Sequence, residues 1–287
     1  MKKILSNLLL IAFIGLLGLS VWKIIDLRMT YHAGEESYDS LEQYVSFTEP
    51  PQLTPATEPP VMPTVPGETT PPTEAIPEPT EEPDDTVWPW VDFAELEKIN
   101  PDVVGWIFIE GTTVNYPIVQ CEDNTFYLKH IFDRSYHKAG CIFLDKDSSP
   151  DFTDQHSIIH GHNRNDNAMF SSLANYKSQS FYDEHQVVLV VTPTHRYKIR
   201  LFSGYVAETE DNAWKKGFLY DSFGSWLTEI TAQSCFTSDC IPTEEDRIVT
   251  LSTCSYEFYQ ARFVVHGIIE RSFKIQTDTD LIGDASE

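Results

Sequence analysis

A mostly β protein with peripheral helices, preceded by an N-terminal transmembrane helix and a disordered stalk, is predicted by three observations. About eight short apolar segments separated by turn residues lie between residues 103 and 271. Past residue 101 only two stretches of helical period interrupt them. Ahead of this region the composition breaks sharply into proline, threonine and glutamate. Many short strands with few helices close either as a barrel or as a sandwich.

The chain opens "MKKILSNLLLIAFIGLLGLSVWK", in which Ser6, Asn7 and Ser20 are the only polar side chains between Ile4 and Trp22. Nineteen helical residues span ~28 Å, close to the ~30 Å hydrocarbon core of a bilayer. Lys2 and Lys3 favour a cytoplasmic N-terminus, and Trp22 and Lys23 suit the far interface. Residues 1–28 are therefore expected to be a cytoplasmic tip and signal-anchor, single-pass in the cell membrane, with the rest of the chain outside. A cleaved signal peptide is the competing reading, because Gly18 and Ser20 form a small-x-small pair.

Residues 29–87 are expected to form an extracellular stalk. Thirteen of the eighteen prolines fall between Glu49 and Pro89. So little apolar area cannot bury a core, and the segment reads as a stiff, polyproline-like spacer. At ~3.1 Å per residue it would hold a domain ~120 Å from its anchor. Between Arg28 and Lys98 there is no Lys or Arg but sixteen Asp and Glu, so most of the net charge of −24 belongs here. With no basic patch interleaved with aromatics, nucleic acid is not an expected partner.

The folded domain is expected over residues 88–274, with a polar tail at 275–287. "VDFAELEKIN" places Phe93, Leu96 and Ile99 at helical spacing, and Pro101 ends it. "VVGWIFI", "VNYPIV", "AGCIFLD" and "QHSIIHG" follow as strands. "QVVLVVT" turns through "PTH" into "RYKIRLFSGYVA" as a hairpin, and "RIVTLST" and "ARFVVHGII" close the domain. Helices are expected at "AMFSSLANY" and at "SFGSWLTEIT", where Phe223, Trp226, Leu227 and Ile230 recur at i, i+3, i+4, i+7.

Five cysteines in an exported chain is an odd number, so at least one is free or paired with another chain. Cys235 and Cys240 in "CFTSDC" are near enough to close a small disulfide loop, and two free thiols remain the alternative. Cys121 and Cys141 read as core or half-buried strand residues. Glycine-rich phosphate loops, CxxC pairs, HExxH and GxSxG elbows are absent, so no cofactor or metal is expected. "HGH" at His160 to His162 offers two imidazoles to a metal, but an HxH pair lacks further ligands.

What remains is a thiol, a histidine at a strand end and an arginine. Cys254 ends one apolar strand, and Arg262 opens the next eight residues later. A nearby imidazole or guanidinium favours the thiolate, imidazolium can protonate a leaving amine, and guanidinium donors can hold an oxyanion. Arg262, Val264 and His266 alternate onto one strand face, which lets Arg262 reach back toward Cys254.

Residues from about Phe93 to Ile269 resemble the sortases, membrane-anchored cysteine transpeptidases of Gram-positive bacteria, and most closely their class B. "INPDVVGWIFIEGTTVNYPIVQ", "DNTFYLKHIF", "GCIFLD", "IIHGHNRNDNAMFSSL" and "IVTLSTCSYEFYQARFVVHG" carry the resemblance, in the family's order. The insertion from Glu208 to Arg247 falls where class B places a helix between its sixth and seventh strands. An eight-stranded sortase-like β-barrel is what this resemblance implies.

Carried over residue by residue, the resemblance makes Cys254 the nucleophile, His162 the general acid/base and Arg262 the group that holds substrate or oxyanion. The implied substrates are surface proteins with a C-terminal sorting motif of the Leu/Asn/Ser-Pro-x-Thr-Gly/Asn kind, cleaved after Thr through a thioacyl-enzyme. The implied acceptor is an amine of a peptidoglycan precursor or of another protein. His160 stands where class B members often have an aromatic, and packing is the preferred role for it over catalysis. A non-catalytic stalked binding protein and a hydrolysis-only cysteine peptidase are the alternatives.

Overall fold

The computed structural model describes residues 2–47, 86–218 and 222–275. Most of the proline-rich segment and the tail beyond residue 275 lie outside the described residues. Helix α1 (Lys2–Asp39) contains the apolar run. Several of its side chains are outside the described set, and among the described residues no helix is long and apolar enough to cross a membrane.

After α1 a 3₁₀ turn (Glu42–Tyr44) leads into strand β1 (Val45–Ser46). Tyr38 and Leu41 are buried in the main core. Strand β2 (Trp90–Val91) pairs antiparallel with β1, Val45 opposite Val91. The described residues on either side of the proline-rich segment thus belong to one two-stranded ribbon. The physical reason is the apolar content of "YDSLEQYV", which carries Tyr38, Leu41, Tyr44 and Val45 and has area to bury that the proline-rich stretch lacks.

Helix α2 (Phe93–Ile99) starts where the Asp92 carboxylate accepts the Glu95 backbone N–H at 3.1 Å, satisfying one free helix-terminal donor. It buries Phe93 and Leu96, while Ile99 is largely exposed. The barrel strands are β3 (Val103–Phe108), β4 (Asn115–Val119), β5 (Ile142–Leu144), β6 (His156–His160), β7 (Val187–Val191), β8 (His195–Ala207), β9 (Ile248–Cys254) and β10 (Arg262–Lys274). They close in the order β10-β8-β7-β3-β4-β5-β6-β9. This is the eight-stranded barrel, and each strand falls on one of the eight apolar segments of the sequence.

Two pairs, β4 with β5 and β6 with β9, are parallel; the other six are antiparallel. Closure leaves no free sheet edge, which suits strands buried along most of their length. Between β6 and β7, "AMFSSLANY" forms a 3₁₀ helix at Ser171–Lys177, and a short α3 (Gln179–Glu184) follows. In the insertion, α4 (Ser222–Ala232) buries Phe223, Trp226, Leu227 and Ile230 as their spacing requires. That helix covers a second apolar cluster with Phe202, Tyr205 and Val264 on the outer face of β8 and β10.

Candidate active site

Strand direction brings the three sequence-predicted residues together. Parallel pairing of β6 and β9 sets His160 opposite Ser252, so both strands finish at the same end of the barrel. His162 lies two residues past His160, and Cys254 two past Ser252. Antiparallel β10 starts at that end, with Arg262 the direct partner of Cys254. Directly paired residues in an antiparallel ladder have Cα atoms ~4.5–5.5 Å apart, so thiol and guanidinium share one patch. All three line a groove of about 510 Å³, together with His160, Trp214 and Lys216.

Each group is held by neighbours. The Asn163 side-chain amide donates to the Cys254 carbonyl at 2.8 Å, and the Gly161 N–H to the Ser252 carbonyl at 3.0 Å, tying the histidine loop to β9. His162 Nε2 lies 2.8 Å from the Leu128 carbonyl. A carbonyl only accepts, so Nε2 carries the proton and Nδ1 is left to exchange one. Burial lowers the His162 pKa; the Leu128 bond works against this, and the nearby Arg164 and Arg262 cations add to it. Arg262 is steadied by Nη1 donating to the Gln260 and Ala261 carbonyls at 3.3 and 3.1 Å.

A sortase-domain model matches residues 107–270, more than half of the chain. The chain belongs to the sortase family. Sortase B of Staphylococcus aureus is 38% identical over 60% of this chain and 72% of its own length. Sortase B of Listeria monocytogenes is 34% identical over the same shares. Among solved structures, an S. aureus sortase B–substrate complex superposes with a TM-score of 0.59 and 36% identity over 64% of this chain and 85% of that one. A sortase B complexed with triglycine has the same score, identity and share of this chain, and 86% of that chain is covered. These relatives place the chain in class B, and it is a cysteine transpeptidase.

The sortase groove also holds a charged cluster that no sequence motif marks. Asp145, just after β5, accepts from Lys216 Nζ at 2.5 Å and Asn124 Nδ2 at 2.7 Å, and lies 3.4 Å from His160 Nε2. Burial alone would raise its carboxyl, but the His160, Lys216 and Asp147 N–H bonds hold it well below the usual carboxylate range. His160 also rests on the Phe143 ring at 5.1 Å, so it packs and faces the groove at once. Trp214, from the insertion, donates Nε1 to Ser252 Oγ at 3.1 Å on β9, two residues before Cys254. Of these, only Asp145 in "FLD" had a sequence signal, a carboxylate ending an apolar strand. Tyr256, Phe258 and Tyr259 are exposed on the β9–β10 connection next to Cys254.

The remaining thiols sit apart from this groove. All five cysteines are free, so Cys235 and Cys240 do not form the small disulfide loop. Burial pushes the Cys141 thiol up to about 12 and the Cys240 thiol up to about 11, which keeps both protonated and unreactive. Among the described residues no group of three or more His, Cys, Asp or Glu is placed to hold a metal ion.

Proposed function

We propose that this class B sortase cleaves a C-terminal sorting motif after Thr with Cys254 as nucleophile, His162 as general acid/base and Arg262 as the oxyanion or backbone donor. The direct register of Cys254 and Arg262 beneath the His162 loop is the observation that carries this reading. In the first half-reaction the Cys254 thiol proton passes to His162 Nδ1, and the thiolate attacks the Thr carbonyl carbon. Negative charge gathers on the carbonyl oxygen within reach of the Arg262 guanidinium, whose planar fork of donors suits an oxyanion. His162 then gives its proton to the departing amine, the C–N bond breaks, and a thioester remains.

In the second half-reaction an amine attacks the thioester and His162 takes its proton. The thiolate leaves and is reprotonated. The triglycine complex of a relative supports an amine-terminated peptide of cell-wall or protein origin as acceptor. The N-terminal apolar run supports a single-pass anchor with a cytoplasmic N-terminus and the barrel outside the membrane.

The test is full-length protein in detergent with peptides of the Leu/Asn/Ser-Pro-x-Thr-Gly/Asn series and a glycine-peptide acceptor, read by mass spectrometry. Cleavage after Thr with the acceptor joined, and none with Cys254→Ala, is the expected result. Cleavage with water alone as acceptor would make it a peptidase. An unreactive Cys254 with no product would remove the nucleophile assignment.

A further inference from the structure

The His162 imidazole is seated between two pieces of the loop joining β4 to β5. On one side Nε2–H donates to the Leu128 carbonyl. On the other lies the bare Cα of Gly140, where an added Cβ would stand 2.8 Å from His162 Cδ2, 2.9 Å from Nε2 and 2.6 Å from the Tyr127 carbonyl oxygen. Gly140 also adopts φ +61°, a conformation glycine reaches without strain. Leu128 and Gly140 are tied to each other locally, since Cys141 N–H donates to the Tyr127 carbonyl at 2.9 Å.

The loop is held from outside by the far end of α1. Tyr38 Oη lies 2.6 Å from the Gly140 carbonyl and 3.1 Å from Cys141 Sγ. The carbonyl can only accept, so Tyr38 donates its one proton there and the Cys141 thiol donates to Tyr38 Oη. Burial raises both groups well above their ordinary values, so the chain Cys141 S–H, Tyr38 O–H, Gly140 C=O keeps its protons at neutral pH. The Tyr38 ring meets Tyr116 edge-on at 5.4 Å, and Gly34, one helical turn earlier, is packed against His137 and Ala139 of the same loop.

We infer that Tyr38 is a positioning residue: through Gly140 it fixes the wall against which His162 is held, making the end of the N-terminal helix part of the working enzyme. The inference rests on His162 as the general acid/base. It extends the site to a segment 102 residues from Gly140 in sequence. It also implies that a domain started at Trp88 lacks one support of its histidine.

Tyr38→Phe in the full-length chain in detergent keeps the ring and removes only the donor. We expect kcat to fall about tenfold with KM within about twofold, because a small misplacement of a proton-transfer group is costly to the chemical step. A second readout needs no turnover: the His162 titration, followed by NMR of labelled histidine and assigned with His162→Gln. Arg164, Arg262 and the Leu128 carbonyl face this ring. Burial is the largest influence holding its pKa down, so loosening the wall admits water and moves the titration upward. Gly140→Ala should reproduce both effects. Unchanged kcat and unchanged His162 titration in folded Tyr38→Phe would overturn the inference. Should the wild-type chain fail to turn over any peptide, the mechanism falls, and the titration alone still decides whether Tyr38 sets the environment of His162.

Discussion

The same two strands carry two very different clusters four residues apart. At the barrel rim Cys254 pairs with Arg262; further in, Thr250 pairs with His266. The inner pair is sealed beneath α4, where His266 is buried among Phe202, Tyr205 and Trp226. There His156 Nδ1 lies 2.7 Å from the Lys215 carbonyl, and Thr250 Oγ1 lies 2.7 Å from both His156 Nε2 and His266 Nδ1. The Lys215 carbonyl fixes the proton on His156 Nδ1. Burial lowers both pKa values and keeps both imidazoles neutral, so Thr250 donates to His156 Nε2 and accepts from His266 Nδ1–H. An imidazole locked on both sides, or buried with a bare Nε2, cannot shuttle protons to a substrate. Identical strand pairing thus sets a half-buried thiol and guanidinium at the rim and a sealed hydroxyl and imidazole inside, and access to solvent separates the two.

The largest way to break this contrast is at the rim. Cys254→Ala should abolish thioester formation and leave the melting temperature within about a degree, since a half-buried small side chain contributes little packing. Activity is checked by intact-mass detection of the acyl-enzyme. Trp226→Ala should do the reverse: about 3–5 kcal/mol of stability lost from the cluster under α4, read by denaturant unfolding. Arg262→Ala comes next, with kcat down ~10²–10³ if it stabilises the oxyanion. A KM effect alone in a peptide titration would assign it to backbone binding instead.

His162→Ala against His160→Ala sharpens the comparison within the rim. His162 Nδ1 is available for proton transfer, so its loss should cost at least ~10² in kcat. His160 faces the groove through Asp145 and Phe143. Its replacement should cost less than about tenfold, mostly in KM. The opposite ranking in steady-state kinetics would exchange the two roles.

What the sequence made legible follows from how local each signal is. Eight strands could be read because apolar runs and turn residues are properties of neighbouring positions. The order of those strands could not, since the parallel pairing of β6 with β9 joins segments about 90 residues apart. Spacing left Cys254 and Arg262 only as a suggestion. Seven residues separate them, and a one-residue slip in register would send one side chain to the other face. Only the family resemblance separates His162 from His160; in an HxH pair alternation alone treats both alike. Tyr38, Gly140 and Lys216 carried no signal, because their partners come from distant segments and from the insertion.

The smallest expected effect separates the inner cluster from the rim by pH. Burial lowers the His156 pKa to about 4 and holds His266 well below its ordinary value, with the His156 charge adding to the effect on His266. In the unfolded chain both would titrate near ~6.5. Below that value the unfolded state binds protons that the folded state refuses, so stability is full above pH ~6.5 and falls as pH drops toward 4. Each histidine contributes a slope of up to ~1.4 kcal/mol per pH unit in this window. His266→Phe should flatten the acid limb of a melting-temperature profile while leaving the rim thiol's alkylation unchanged. A limb of undiminished slope would mean that other groups, such as the Glu257 carboxylate held down to about 2 by Lys177 and Ser255 against its own burial, dominate the acid response.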